Sequence, residues 1–292
     1  MTISFKRRQL SIGLPLAFGL GGITFDLRAA TSPLAELERR HGGRLGVFAV
    51  DTGSGKTLAH RADERFLMCS TFKGMLAAQV LARVDQGKES LQRSIPYTRK
   101  DLIFTSPTTL ANVGRGSMTV GELCQATVEL SDNTAAILLM RNAGGPEGLT
   151  AFLRSLGDNV TRSDRYEPMS NQYSGERDTT TPRAIVGNAR AILTGDVLSP
   201  DARQQLEDWM ITCRPGRNRL RAALPADWQA GDRPGTSVER QTNDYAIVRP
   251  PQRNPLFVAA YYDAPALDMP RREAALREVG EIFVAWAQTS SR

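Results

Sequence analysis

Hydrophobic and polar residues alternate in the manner of β-strands near both ends of this chain. Residues 44–62 form an extended run "RLGVFAVD", a tight turn "TGSG" and a second extended run "KTLAHRA", a pattern that predicts a β-hairpin. Further strands are predicted in "WQAGDRPGTS", "NDYAIVRP" and "PLFVAAYYD", between residues 228 and 263. Strands at both ends favour one sheet that the two ends build together.

Apolar residues at helical spacing flank and separate these strands. "SPLAELERRHGG" (32–43) begins with a serine-proline pair and ends at two glycines, and "PRREAALREVGEIFVAWAQ" (270–288) is amphipathic and begins at a proline. Each predicts a helix. Residues 69–212 are mostly helical in pattern. We therefore predict an α/β fold: a mixed, mainly antiparallel sheet built from both chain ends and flanked by helices, with an inserted all-helical lobe.

The first 30 residues differ in character from the rest of the chain. They combine a charged start, a glycine-rich apolar run from Ile12 to Phe25, and small residues at Ala29 and Ala30, which are the three parts of an export signal. The paired arginines resemble a twin-arginine signal. An uncleaved anchor is disfavoured, because spanning a bilayer takes about 20 strongly apolar residues. We predict a periplasmic or secreted protein with a signal at 1–30 and one domain at 31–292.

Composition argues against nucleic-acid binding and metal chemistry. Residues 1–30 carry four of the 37 basic residues and one of the 31 acidic ones, so the remainder has 33 and 30, a formal charge of +3. No basic block with interleaved aromatics is present, so nucleic acid is not a predicted partner. Neither His41 nor His60 has neighbours at metal-ligand spacing, and no metal or other cofactor is predicted. Lysine or a carboxylate would have to activate a catalytic serine, unless one of these histidines does so.

The stretch "LMCSTFKG" (67–74) places Ser70 three residues before Lys73. Positions i and i+3 share one helix face, so a helix beginning near Ser70 would set the Lys73 ammonium against the hydroxyl one turn earlier. Two interpretations fit this geometry: Ser70 is a nucleophile served by Lys73, or its hydroxyl only caps the helix. The fragment by itself does not decide between them.

Three later stretches supply further polar groups that could line a cleft between the lobes. They are "ELSDNTAA" with Ser131, Asp132 and Asn133, "DRYEPMSN" with Glu167 and Asn171, and "GDRPGTS" with Arg233, Pro234, Gly235 and Thr236. Each has a structural alternative: a helix cap, an i, i+4 surface pair and a turn, respectively.

Taken in order and at these intervals, the four motifs resemble the class A serine β-lactamases. The resemblance covers nearly the whole mature chain and includes "MTVGELCQATVELSDNTAAILLM", "GGPEGLTAFLRSLGD" and "RLRAALPADWQAGD". It implies a fold like that of serine β-lactamases and penicillin-binding proteins, with a sheet lobe at about 31–68 and 213–292 and a helical lobe at about 69–212. It also implies a hydrolase that opens β-lactams through a Ser70 acyl-enzyme and confers β-lactam resistance.

The resemblance assigns the chemistry to a small set of residues. It makes Ser70 the nucleophile, with the amides of Ser70 and Thr236 holding the oxyanion. Lys73 and Glu167 are both candidate bases for acylation, and Glu167 with Asn171 positions the water that hydrolyses the acyl-enzyme.

Substrate binding is assigned in the same way. Ser131 relays a proton to the lactam nitrogen, Asn133 binds the side-chain amide of the substrate, and Arg233 attracts its carboxylate. The full substrate-binding set that the resemblance implies is Asn133, Asn171, Arg219, Arg233, Pro234, Gly235 and Thr236.

Several positions depart from the family pattern. Pro234 stands where relatives usually carry a hydroxyl residue. Thr242 stands where many relatives carry an arginine, and Arg219 occupies the position from which other members supply the same positive charge. Residues 171–178 form a loop about two residues shorter than usual. A cis bond before Pro168 and a clamp between Arg165 and Asp178 are expected. Cys69 and Cys124 are expected to be buried free thiols.

Two rival functions share part of these motifs. A penicillin-binding DD-peptidase would use Ser70, Lys73 and Ser131 but would have no need of Glu167 and Asn171 to hold a water. A β-lactam-binding sensor or trap would acylate and then stall, for which the altered Arg-Pro-Gly motif gives a reason. The predicted partner is a small β-lactam, with no stable membrane insertion after signal cleavage, and the protein is predicted to be a monomer.

Overall fold

A computed structural model describes residues 32–237 and 240–289 of the chain, so the predicted export signal lies outside the described residues. The helices are Pro33–His41 (α1), Phe72–Asp85 (α2), Pro107–Asn112 (α3), Val120–Glu129 (α4), Asn133–Asn142 (α5), Gly145–Ser155 (α6), Pro182–Thr194 (α7), Pro200–Ile211 (α8) and Met269–Thr289 (α9). The strands are Arg44–Asp51 (β1), Thr57–His60 (β2), Phe66–Leu67 (β3), Ser94–Pro96 (β4), Ser117–Thr119 (β5), Thr179–Thr180 (β6), Gln229–Asp232 (β7), Gly235–Thr236 (β8), Gln241–Arg249 (β9) and Leu256–Asp263 (β10).

Strands from the two ends of the chain form one sheet, as the alternating pattern predicts. Its order is β2-β1-β10-β9-β7, with β8 also paired to β9. Every pairing described in this sheet is antiparallel. The prediction of a mainly antiparallel sheet built from both ends is therefore confirmed. Short two-stranded pairs, β3 with β6 and β4 with β5, were too brief to show in the sequence pattern.

The sheet separates two hydrophobic cores because successive strand residues point to opposite faces. Along β1, Phe48 and Val50 belong to the core that faces the helices of the central segment, whereas Val47 and Ala49 belong to the core beneath α1 and α9. No helix among the described residues is long and apolar enough to cross a bilayer.

Helix α2 is the central element of the helical lobe. Its residues from Phe72 to Ala82 are all buried, and it contacts α4, α5, α6, α7 and α8. A helix buried on all sides positions its first turn rigidly, and that first turn carries Lys73. The fold therefore places the candidate motif where neighbouring elements fix it from several directions.

The close approach of α2 to β9 yields a stability prediction at Gly74. A Cβ at this position would collide with the hydroxyl of Tyr245, whose side chain is only 1% exposed. We expect Gly74→Ala to lower the free energy of unfolding by about 1–3 kcal/mol, because the buried ring has little room to move. Urea denaturation measures this change.

Gly187 provides the matched control. It lies in α7, is exposed, and would present a Cβ to open space. Gly187→Ala should raise the free energy of unfolding by about 0.5–1 kcal/mol through helix propensity alone. Equal effects of the two substitutions would contradict the packing argument.

Candidate active site

Ser70 lies in a 3-10 turn, Cys69–Thr71, directly before α2. The residue that caps α2 is Thr71, and it makes no side-chain capping hydrogen bond, so the interpretation of Ser70 as a helix cap is wrong. Cys69 has a positive φ of 47°, a conformation that costs about 1–3 kcal/mol and is found mainly where surrounding structure imposes it. The turn thus holds Ser70 at the edge of a cleft at a cost in backbone strain.

Lys73 is completely buried, and its ammonium reaches across the cleft. Its Nζ donates to the carbonyl oxygen of Ser131 at 2.8 Å, to Ser131 Oγ at 3.2 Å and to Asn133 Oδ1 at 2.5 Å. The sequence alone predicts a contact with the Ser70 hydroxyl one turn earlier. The structure differs because a neighbouring loop brings three acceptors to an ammonium that has three donors.

The charge state of Lys73 is adjusted by its surroundings. Burial lowers the pKa of Lys73 to about 8, with Arg233 acting in the same direction and Glu167 opposing it. The Glu167 carboxylate lies 3.7 Å from the ammonium. A lysine with this pKa can exchange its proton near neutral pH, which a solvated lysine does not do.

Ser131 and Asn133 point into the cleft, while Asp132 between them serves the fold. Asp132 caps α5 by accepting from the amide of Ala135 at 2.9 Å, and it also accepts from the amides of Thr108 and Thr109. The helix-cap interpretation is therefore right for Asp132 alone. Ser131 has a φ of 60°, a second strained residue at the cleft.

Glu167 and Asn171 lie on one loop that an internal ion pair braces. Arg165 Nε donates to Asp178 Oδ2 at 2.6 Å, and the Arg165 amide donates to Asp178 Oδ1 at 3.0 Å. The peptide bond before Pro168 is cis. Both features match the expectations from the sequence. Asn171 Nδ2 donates to Glu167 Oε2 at 2.5 Å, so the two side chains form a fixed pair.

Three buried acceptors on this loop lack a hydrogen-bond partner among the described residues. They are Glu167 Oε1, Asn171 Oδ1 and Ser170 Oγ. Buried oxygens of this kind are normally satisfied, often by ordered water. The turn that carries Ser170 and Asn171 contacts the turn that carries Ser70, so a water bound to these acceptors would lie near the candidate nucleophile.

Arg233 is fully buried and joins several parts of the cleft. Its Nε donates to the carbonyl oxygen of Ser70 at 3.1 Å, its Nη1 to that of Val128 at 2.7 Å, and its Nη2 to Ser131 Oγ at 2.8 Å. Its Nη1 also contacts Cys213 Sγ at 3.4 Å. The guanidinium therefore fixes the backbone of Ser70 and the hydroxyl of Ser131 relative to each other.

Pro234 costs β8 no ladder hydrogen bond. The amides of Arg233 and Ser237 donate to the β9 carbonyls of Tyr245 at 2.8 Å and Gln241 at 3.0 Å. Residues two apart direct their amides to the same side, so positions 234 and 236 face away from β9. The amide that Pro234 lacks would therefore face away from β9, where the sheet needs no hydrogen bond. The amide of Thr236 points toward the same open side of the strand.

Arg219 acts on the cleft through Thr236. Its Nη1 donates to the carbonyl oxygens of Gly235 and Asn243, its Nη2 to Thr236 Oγ1 at 2.6 Å, and its Nε to Glu273 at 3.2 Å. Since the Thr236 oxygen accepts from the arginine, its own hydrogen is free to be donated to a ligand.

A cavity of about 550 Å³ brings most of the predicted residues together. The predicted residues that line it are Ser70, Ser131, Asn133, Asn171, Arg233, Pro234 and Thr236. Lys73 and Glu167 lie buried behind this wall, and Arg219 and Gly235 support it. The size suits a small molecule of a few hundred daltons.

Sequence reasoning missed part of the wall. Phe104, Thr105, Leu130 and Pro215 line the cavity, as do residues at the start of α9 and before it: Leu267, Asp268, Met269 and Arg272. These residues belong to no sequence motif that points to catalysis or binding. Among them, only the 62% exposure of the apolar side chain of Phe104 indicates a binding surface, and exposure cannot be read from the sequence. All three cysteines are buried and free, as expected for Cys69 and Cys124.

The chain matches the model of the "Beta-lactamase enzyme family" over residues 29–287. The "Carbapenem-hydrolyzing beta-lactamase KPC" of Klebsiella oxytoca is 46% identical over 276 residues, covering 92% of this chain and 93% of that protein. Beta-lactamase SME-1 of Serratia marcescens is 40% identical over 260 residues, covering 88% of each.

Solved structures agree with these relatives. A crystal structure of a β-lactamase from Burkholderia vietnamiensis is 68% identical, with a TM-score of 0.87, and covers 88% of this chain and 96% of that one. An ancestral class A β-lactamase is 54% identical, with a TM-score of 0.84, and covers 87% and 98%. With the motifs gathered around one cavity and these matches over nearly the whole length, the chain belongs to the class A β-lactamases.

Proposed function

We propose that this protein hydrolyses β-lactams through an acyl-enzyme on Ser70, with Glu167 and Asn171 holding the water that releases the product. The observation that carries the proposal is the pair of unsatisfied buried acceptors, Glu167 Oε1 and Asn171 Oδ1. A water that donates one hydrogen to each keeps both lone pairs free, and one of them can attack an acyl carbonyl on Ser70.

Acylation begins with attack of Ser70 Oγ on the lactam carbonyl carbon. The amides of Ser70 and Thr236 stabilise the negative charge that develops on the carbonyl oxygen, an effect commonly worth about 3–4 kcal/mol for one donor. The amide of Thr236 is not used by the sheet, so it is available for this role. The bond between the carbonyl carbon and the lactam nitrogen then breaks, and the nitrogen takes up a proton.

Ser131 is suited to deliver that proton. Its Oγ accepts from Lys73 and from Arg233, so its own hydrogen is left to be donated into the cleft. Two cations on one hydroxyl also make the loss of its proton easier. Lys73 can then replace the proton, because its pKa of about 8 permits exchange near neutrality.

The base that removes the Ser70 proton is either Lys73 or Glu167. Both are buried near the cleft, and their charged groups form an ion pair at 3.7 Å. Asn133 is held by two contacts, from Lys73 and to the Phe104 carbonyl oxygen. We assign it to the side-chain amide of the substrate.

Arg219, Arg233 and Thr236 form the site for the substrate's carboxylate. The Thr236 hydroxyl, oriented by Arg219, donates directly, and the two arginines supply positive charge from behind the cavity wall. Gly235 is required here because a Cβ would meet the Met68 carbonyl oxygen at 2.6 Å. Pro234 contributes shape but no hydroxyl.

Two rival activities are weaker matches to this geometry. A DD-peptidase needs no second carboxylate paired with an asparagine beside the nucleophile. A β-lactam trap would need a disordered or displaced Glu167, yet the ion pair of Arg165 with Asp178 braces its loop.

We also propose that the protein works as a monomer outside the cytoplasm, with residues 31–292 as one domain.

Substitution of Glu167 separates the two halves of the reaction. We expect Glu167→Ala to leave β-lactam acylation of Ser70 detectable by intact-protein mass spectrometry. Hydrolysis of the adduct should slow by about 10²–10⁴-fold, because the water loses its base. Glu176→Ala is the control, since that glutamate lies on the same loop with a side chain 68% exposed. Unchanged turnover in Glu167→Ala would remove the proposed role.

Restoring the hydroxyl at position 234 tests the carboxylate site. A hydrogen bond to a charged group is worth about 1.5–3 kcal/mol, so its absence weakens kcat/KM by roughly tenfold to a hundredfold. Pro234→Thr should recover part of that loss, because the amide it introduces faces away from β9. Steady-state kinetics with a penicillin measures the gain. Pro265→Thr, at an exposed loop position, should change nothing, and no gain at position 234 would refute the argument.

Export is tested at the N-terminus. Mass spectrometry of periplasmic protein should find a mature chain that begins near Ala30 or Thr31, because small residues precede the predicted cleavage site. The control is the same protein retained in the cytoplasm, which should keep the segment. A soluble periplasmic form that still contains Met1 would contradict the signal assignment.

A further inference from the structure

The two amides assigned to the oxyanion lie on separate segments of the chain. The Ser70 amide belongs to the turn Cys69–Thr71, here called the nucleophile turn, and the Thr236 amide belongs to β8. A Cβ added at Gly235 would lie 2.6 Å from the Met68 carbonyl oxygen and 3.1 Å from the Ser70 nitrogen, so the two segments are packed closely together. Both amides can stabilise one oxyanion only if the distance between these segments is fixed.

Asn243 on β9 connects the two segments. Its backbone lies opposite Gly235, the residue before Thr236, in the antiparallel ladder between β8 and β9. Its side-chain Nδ2 donates to the carbonyl oxygens of Leu67 at 2.9 Å and Met68 at 3.3 Å, which directly precede the nucleophile turn. Asn243 therefore pairs with β8 through its backbone and holds the approach to the nucleophile turn through its side chain.

The side chain of Asn243 is held in one orientation. It is 0% exposed, and its Oδ1 accepts from the amide of Tyr262 on β10 at 3.3 Å. A side-chain amide has donor hydrogens on its nitrogen and an acceptor oxygen, and its surroundings match that set; the reverse orientation would place the oxygen against two carbonyl oxygens. Both β9 and β10 have a neighbouring strand on each side, so the anchor lies in the interior of the sheet.

The nucleophile turn depends on support from outside because its backbone is strained. Cys69 has a φ of 47°, a conformation that persists where the surrounding structure imposes it. After Cys69, Arg233 holds the chain by donating to the Ser70 carbonyl oxygen at 3.1 Å. Before Cys69, Asn243 holds it at Met68. The peptide that carries the Ser70 amide is thus fastened on both sides to the β8 and β9 segments.

We propose that Asn243 is a positioning residue for the oxyanion site, which fixes the Ser70 amide relative to the Thr236 amide. This inference rests on the proposed function, which assigns the oxyanion to those two amides. Without the side-chain donor, the Leu67 and Met68 carbonyls lose a partner and the strained turn relaxes away from β8. Acylation and deacylation both pass through an oxyanion, so both steps slow when one amide is displaced.

Asn243→Ala tests this role through reaction rates. We expect the acylation rate and the deacylation rate to fall together by about tenfold, less than the roughly 10²–10³-fold cost of removing an oxyanion donor. Stopped-flow kinetics with benzylpenicillin separates the two steps. Asn243→Leu fills the space that alanine leaves and still lacks a donor, so it should show the same joint loss even if the alanine variant does not fold. Glu167→Ala, by contrast, should slow deacylation far more than acylation.

Infrared spectroscopy of the acyl-enzyme observes the oxyanion site directly. Benzylpenicillin with an isotopic label at the lactam carbonyl carbon gives an ester band that isotope subtraction separates from the protein bands. All proteins in this experiment carry Glu167→Ala, so that the adduct accumulates. Hydrogen bonds to a carbonyl oxygen lower its stretching frequency. We expect a lower frequency in the native adduct than in the denatured one, and a shift back to higher frequency when Asn243→Ala or Asn243→Leu is added.

Asn188→Ala is the matched control. Asn188 on α7 is also buried, and its Nδ2 donates to Asp158 Oδ2 at 2.6 Å. It lines a cavity other than the one at Ser70. This substitution should lower the stability measured by urea denaturation, because it removes a buried hydrogen bond. The ester band and both rates should stay unchanged.

The outcomes separate this inference from the proposed function. An unshifted band in the Asn243 variants, unchanged acylation, or a loss confined to deacylation would overturn the role of Asn243. A lower frequency in the native Glu167→Ala adduct would then still support the oxyanion assignment. If that adduct does not form, or if its band is the same in native and denatured protein, the oxyanion assignment and this inference fail together.

Discussion

The buried guanidinium of Arg233 holds the parts of the active site in one arrangement. It donates to the backbone of Ser70, to the end of α4 at Val128 and to the Ser131 hydroxyl, so three separate segments share one planar, rigid group. A compact ammonium could not reach these acceptors with the same fixed geometry. A charge buried this deeply is tolerated because carbonyl dipoles and a hydroxyl surround it. The positions of nucleophile and proposed proton donor therefore depend on this one residue.

The same burial that makes these contacts strong also sets the chemistry. Burial weakens the preference of Lys73 for the charged form because water is excluded from it, and Glu167 restores part of that preference. Strained backbone at Cys69 and Ser131 shows that the surrounding packing imposes this geometry. Unsatisfied acceptors at Glu167 and Asn171 remain where a water can be held. A low-dielectric cleft with a few aimed polar groups is the arrangement that favours acyl transfer.

Positive charge behind the cavity wall is distributed over several residues. Arg233 and Arg219 are both buried and both bonded to protein atoms, so each acts on a ligand mainly through its field and through the hydroxyl that it orients. This explains how the site accommodates Pro234. The strand loses a hydroxyl but no sheet hydrogen bond, since the amides at positions 233 and 237 donate to β9 and position 234 faces the other way.

The sequence by itself determined the fold class, the order of the motifs and the identity of the candidate residues, because strand alternation, helical spacing and motif intervals are local properties of the chain. It also anticipated the clamp of Arg165 with Asp178 through resemblance to a family. The partners of Lys73, the division of labour between Asp132 and its neighbours, and the cavity wall at Phe104 and Met269 depended on tertiary structure. Such contacts join residues far apart in the chain, 58 positions for Lys73 with Ser131 and 163 for Arg233 with Ser70, and no local pattern encodes which acceptor a buried cation will meet.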